Sequence, residues 1–160
     1  MNVRIVIVFI VATVCMISCS NKKTLFESLS SSKTGIDFVN AVEENDKYNV
    51  LDYMNIYTGA GVAAGDINND GLVDLYFSGN EVPGKLYLNK GNFKFEDITQ
   101  KAGITTNRWC TGVSMVDINQ DGWLDIYICV AGSSKFGNTA NLLYVNQGLS
   151  SSPSGEPQVT

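Results

Sequence analysis

Gly65 to Asn80 reads GDINNDGLVDLYFSGN, and Asp117 to Val130 reads DINQDGWLDIYICV. Both follow the pattern D-x-N-x-D-G-x-x-D and then run into an apolar stretch. Three carboxylates within nine residues repel one another unless something positive sits among them. Side chains at positions 1, 3 and 5 converge if the backbone wraps round a point, and a glycine at position 6 permits the turn. In the first copy these are Asp66, Asn68, Asp70 and Gly71; in the second, Asp117, Asn119, Asp121 and Gly122. Position 7 (Leu72, Trp123) offers a backbone carbonyl, so its side chain need not be polar, and position 9 (Asp74, Asp125) closes the ring. All these ligands are hard oxygens, and with water they fit the six to eight that Ca²⁺ takes. Calcium is therefore the expected cofactor. The alternative is a pair of solvated Asx-rich β-turns, whose Asp and Asn side chains bond their own backbone. Duplication at equivalent positions favours calcium. An EF-hand is disfavoured, because position 12 is Phe77 or Ile128 where that loop needs Glu, and no helical pattern follows.

The duplication extends outward. Gly61–Gly71 aligns with Gly112–Gly122, and Leu86-Tyr87-Leu88-Asn89-Lys90-Gly91 with Leu143-Tyr144-Val145-Asn146-Gln147-Gly148. The second unit carries six extra residues within Val130 to Asn141. Phe95-Glu96-Asp97-Ile98-Thr99, ending in Gly103-Ile104, has a fainter echo in Phe26-Glu27-Ser28-Leu29-Ser30, ending in Gly35-Ile36. Each unit reads as short strands rich in Val, Ile, Leu, Tyr and Phe, punctuated by Gly, Asn and Asp. The first unit has four (GVAAG, VDLYF, KLYLN, KFEDIT) and the second three (GVSMV, LDIYICV, LLYVN). Four-stranded units at this period predict an all-β chain of antiparallel β-propeller blades, here an incomplete array of about two. The expected divisions are a leader over 1–18, a linker with a partial strand and an insertion over 19–57, repeats over 58–104 and 105–148, and a disordered tail over 149–160.

These stretches resemble FG-GAP/VCBS repeats of the integrin-α-like propeller type. They are most similar to bacterial envelope proteins grouped with the cartilage-acidic-protein/UnbV-associated family, over about residues 58 to 148. The resemblance implies a calcium-bearing propeller and carries to Asp66, Asn68, Asp70 and Asp74, and to Asp117, Asn119, Asp121 and Asp125. The family's C-terminal domain is missing, so any activity residing there is not carried over.

The N-terminus carries one positive charge, Arg4, then 13 largely apolar residues, Ile5 to Ile17. A membrane span needs about 20, whereas a signal-peptide core fits. The run ends Ser18-Cys19, which resembles a bacterial lipobox and implies lipidation of Cys19 and a place in the cell envelope, anchored to a membrane. An ordinary signal peptide or an uncleaved anchor are the alternatives.

The 160 residues have 44% hydrophobic composition, a formal charge of -5 and no histidine. Without histidine the commonest general base and zinc ligand are gone. From Cys19 onward ten basic residues face sixteen acidic ones, and six of those acids are the motif aspartates. The acidity belongs to two loops, and no basic patch exists for nucleic acid. Gly59-Ala60-Gly61-Val62-Ala63-Ala64 fits a dinucleotide fingerprint, but the Asp loop starts two residues later and leaves no room for the helix that fingerprint opens. The small residues instead suit close packing of an inner strand. Cys110 and Cys129 flank the second loop; sequence does not show the geometry a bridge needs. The chain is expected to be a non-enzymatic binding or adhesion module for a protein or glycan. The alternative is a scaffold for a polysaccharide-acting enzyme, which needs a carboxylate pair in a pocket away from the Asp loops.

Overall fold

The computed structural model describes residues 24–46, 49–131 and 137–148. The leader with Cys19, part of the second unit's extra residues and the 149–160 tail lie outside them. Among the described residues no helix is long and apolar enough to cross a membrane.

A single helical turn, α1 (Ser31–Thr34), precedes seven strands: β1 (Val62–Gly65), β2 (Asp74–Phe77), β3 (Lys85–Asn89), β4 (Phe95–Asp97), β5 (Cys110–Val116), β6 (Asp125–Val130) and β7 (Leu142–Tyr144). They form two antiparallel sheets, ordered β1-β2-β3-β4 and β5-β6-β7. Among the described residues the regular structure is therefore almost entirely β, with one four-stranded blade and one three-stranded sheet, as the repeat predicts. Each Asp motif is the connection between the first two strands of its blade, with Gly65 opposite Asp74 and Val116 opposite Asp125. β4 is shorter than its apolar pattern because a side chain takes over the ladder. The Leu86 amide donates to Thr99 Oγ1 at 2.9 Å, while Ile98 N–H still reaches the Leu86 carbonyl.

The blades pack through β1 and β5, and glycine makes this possible. A Cβ on Gly61 would stand 2.7 Å from the Val113 nitrogen, and one on Gly65 2.6 Å from Leu124 Cδ1. The first, against backbone, excludes a side chain at Gly61, which is the role expected of the small residues of GAGVAAG, while at Gly65 the Leu124 side chain would have to shift. One apolar core spans both blades: Ile67, Tyr76, Leu86, Leu88, Ile98 and Ile104 meet Cys110, Ile126 and Ile128. The segment before β1 forms no strand among its described residues. It closes over the blade junction through Ile56, Tyr53 and Val42 against Trp109 and Ala131.

LDIYICV is apolar on both faces, the pattern of a strand covered on both sides. In β6, Ile126 and Ile128 are buried, but Tyr127 and Cys129 are only half-buried. The reason shows in two equivalent isoleucines. Ile67 is 0% exposed beneath the second blade, whereas Ile118, its counterpart, is 52% exposed. Ile67→Ala is therefore expected to cost about 2–5 kcal/mol, and Ile118→Ala less than about 0.5 kcal/mol. Urea melts of the two variants check this, and equal losses would contradict it.

Cys110 and Cys129 are free thiols. They lie on neighbouring strands but are not opposite: Cys110 faces Val130, Cys129 faces Gly112, and a bulge separates them. Burial pushes the Cys110 thiol up to about 11, so it behaves as an inert apolar group. The Tyr76 hydroxyl is buried with no hydrogen-bond partner among the described residues. Removing an unpaired polar group from a core relieves its desolvation cost. Tyr76→Phe should be neutral or stabilise by about 1 kcal/mol; a clear loss in the same melt would show that the hydroxyl is satisfied.

Candidate metal centre

Two unusual backbone positions shape each Asp loop. Asn69 and Gln120 have φ of 58° and 61°, and Gly71 and Gly122 follow at 85° and 89°. This left-handed pair folds the loop back so that its first aspartate reaches its own later amides. Asp66 Oδ1 accepts from the Asp70 amide at 3.0 Å and Oδ2 from the Gly71 amide at 2.7 Å. Asn68 Oδ1 accepts from the Asp70 amide at 3.2 Å, and its amide nitrogen donates to Asp70 Oδ2 at 2.9 Å. Asp70 Oδ1 accepts from the Leu72 amide at 2.8 Å. The second loop repeats every one of these bonds with Asp117, Asn119, Asp121, Gly122 and Trp123, at 2.8 to 3.1 Å.

Asp74 and Asp125, at position 9, behave differently from the rest. Both are 0% exposed. Asp74 Oδ2 accepts from the Ile67 amide at 3.0 Å and Oδ1 from the Asn89 amide at 2.7 Å. Asp125 takes the Ile118 and Asn146 amides in the same way, at 3.1 and 2.8 Å. Each is a hub at the start of the second strand and ties the beginning of its loop, just after the first strand, to the end of the third strand or just beyond it. Burial raises the Asp74 carboxyl above the usual carboxylate range; its two amide donors pull it down, while Asp70 and Asp66 push it up. The mutual repulsion read from the sequence is thus felt at Asp74.

Among the described residues no three His, Cys, Asp or Glu side chains form a metal-binding group. The fit to a cation must therefore rest on mixed oxygens, and the donor chemistry does match a hard divalent ion. Asp66, Asn68 and Asp70 stand at least partly in solvent. The loop carbonyls of Leu72 and Trp123 are further oxygens of the same class. Each Asp74 and Asp125 oxygen accepts one amide and keeps a second acceptor direction. The Asn68 amide on Asp70 Oδ2 is a partial positive charge where a cation would supply a full one.

Sequence reading missed two side chains here. Asn89 and Asn146 are the fourth residues of the repeated L-Y-x-N-x-G, and that recurrence was the available signal. Asn146 is 1% exposed. Its Nδ2 donates to the Leu124 carbonyl at 3.2 Å and to Ile67 of the other blade at 2.9 Å. Asn69 points out of its own loop, yet its Nδ2 donates to the Gly122 carbonyl of the second loop at 3.0 Å.

A second polar constellation bears on hydrolysis. Asp37 and Asp97 flank the Lys85 ammonium, 2.8 and 3.1 Å from it. All three line one groove. They are a carboxylate pair away from the Asp loops, as a glycosidase requires, but a general acid needs a raised pKa. Both are lowered instead: Asp37 by hydrogen bonds from Lys85 and Tyr87, and Asp97 because bonds from Thr99 and Lys85 outweigh its burial. Two carboxylates held ionised around one ammonium make a structural clamp.

With this geometry in view, comparison with known proteins is specific. A model of the FG-GAP-like repeat matches residues 66–128, from the first aspartate of one loop to the middle of β6. Cartilage acidic protein 1 of Xenopus tropicalis is 36% identical over 75 residues, which cover 46% of this chain and 12% of that protein. The chain thus corresponds to a small part of that relative's length. Both loops and the strands β2 to β5 fall within the matched segment, so residues 66–128 carry the FG-GAP-like repeat.

Proposed function

We propose that the chain is a calcium-binding β-propeller module of an exported cell-envelope protein, anchored to a membrane through lipidated Cys19. Its blades would present a surface to a protein or glycan, without catalysis. The observation that supports the metal reading is the identity of the two loops. Five side-chain hydrogen bonds recur one for one in each, at the same place in each blade. A single Asx-rich turn needs no ion, but two identical acidic folds on one chain suit a shared ligand. Asp66, Asn68 Oδ1, Asp70 and the Leu72 carbonyl would hold the ion in loop 1, and Asp117, Asn119 Oδ1, Asp121 and the Trp123 carbonyl in loop 2. When bound, calcium neutralises the loop charge and cross-links each loop to its strands. Asp74 and Asp125 would stand behind these ligands, fixing the loop backbone and adding charge. The metal reading is tested by calcium titration of the full chain, watching Trp123; absence of binding at millimolar calcium would sink it.

The anchoring reading rests on the leader sequence alone. Cys19→Ala is expected to move the protein from the membrane fraction to the soluble one, or to block its processing. Wild-type protein that partitions into the aqueous phase of a detergent extraction as readily as the variant would refute it.

A further inference from the structure

The two loops are joined by a continuous run of hydrogen bonds that crosses between blades. Asp74 Oδ2 accepts from the Ile67 amide at 3.0 Å; the Ile67 carbonyl accepts from Asn146 Nδ2 at 2.9 Å; the Asn146 amide donates to Asp125 Oδ1 at 2.8 Å. Asp74, Ile67, Asn146 and Asp125 are all buried, none more than 1% exposed. Position 9 of loop 1 is thereby connected to position 9 of loop 2 through two residues, Ile67 by its backbone N–H and carbonyl, and Asn146 by its side chain and backbone N–H. A second, exposed connection runs in parallel, from Asn69 Nδ2 to the Gly122 carbonyl. Asn89, the counterpart of Asn146, bonds only its own blade's Val73 carbonyl, through Nδ2, among the described residues. The reach of Asn146 to Ile67 is thus a feature of the blade junction.

We propose that Asn146 and Asn69 are positioning residues that couple the cation occupancy of the two loops, so that filling one raises the affinity of the other. This rests on the calcium reading above. Asp66 and Asn68, which would hold the ion in loop 1, flank Ile67. When they are fixed, the Ile67 carbonyl is fixed, and with it the side chain of Asn146, whose backbone N–H holds Asp125. Ordering of the second loop is then partly complete before it binds, which is positive coupling without a change of fold. Direct repulsion between two cations acts in the opposite sense, but it is screened by salt while the buried relay is not.

Trp123 belongs to loop 2, and its indole packs on Gly148. The part of the calcium-dependent fluorescence change that Asp121→Ala abolishes therefore reports loop 2. The experiment titrates the full chain in about 1 M salt, where the Debye length is ~3 Å, with loop 1 intact or disabled by Asp70→Ala. Disabling loop 1 is expected to move the loop-2 midpoint to calcium on the order of fivefold higher, the low end of usual coupling. In Asn69→Gly, which keeps the left-handed backbone, and in Asn146→Ser, the shift produced by Asp70→Ala should shrink. Melting in chelator separates this from general damage: Asn69→Gly should match wild type there, and it decides the matter if Asn146→Ser does not fold. A loop-2 midpoint indifferent to Asp70→Ala, or a shift of undiminished size in every folded Asn variant, overturns the coupling alone. Absence of calcium binding to wild type overturns the coupling and the metal reading together.

Discussion

Asp74→Ala and Asp125→Ala are each expected to lower the unfolding free energy by about 3 kcal/mol in calcium-free buffer, while Asp70→Ala stays within about 0.5 kcal/mol. The difference comes from what each carboxylate holds. Asp74 is fully buried and accepts two backbone amides from different segments. Hydrogen bonds to a charged group contribute about 1.5–3 kcal/mol each, and a buried amide left unpaired costs about 1–3 kcal/mol. Part of that loss is recovered, because burial and the neighbouring Asp70 and Asp66 already disfavour the Asp74 charge. Asp70 is exposed, and the donors to its carboxylate are local. Denaturant melts in chelator read the three variants directly. Losses below about 1 kcal/mol for both hub variants would show that these carboxylates do not hold the blades together.

The second large effect is expected from calcium itself. Three carboxylates per loop, two on the ion and one behind them, with a neutral asparagine among them, place the affinity with extracellular modules, a dissociation constant on the order of 10⁻⁴ M. At about 100 times that concentration of free ion, each filled site adds about 2.7 kcal/mol. For a chain of this size that is a rise in melting temperature on the order of 10 °C per site. Chelator should reverse it. Asp70→Ala or Asp121→Ala should remove about half or more of the gain, the excess over half being the coupled part. An unchanged melting temperature on chelation would leave the loops as self-bonded turns.

How much of this was legible depended on how local the cause was. The strands were readable because alternating apolar runs bounded by Gly, Asn and Asp specify them within a few residues, and Lys85–Asn89 falls where KLYLN put it. The loops were readable because their turn demands glycine at position 6, and the structure gives Gly71 and Gly122 positive φ. Their positions 4, Asn69 and Gln120, share that left-handed backbone, so alanine there would add strain, and glycine is the neutral replacement. What the sequence did not reveal was long-range. Asn146 reaches a carbonyl 79 positions away, and nothing local marks that partner. Asp37, outside the repeats, meets Lys85 and Tyr87 only because the chain before β1 returns along the first blade. The burial of position 9 was also hidden, since nothing local in the motif marks the two backbone amides from which each of these aspartates accepts.

The most direct test of the central claim is a count of bound calcium by isothermal titration on the full chain. Two ions per chain are predicted for wild type and for Asn69→Gly and Gln120→Gly, and one for Asp70→Ala and for Asp121→Ala. No bound calcium in wild type, or two in the aspartate variants, would contradict the account.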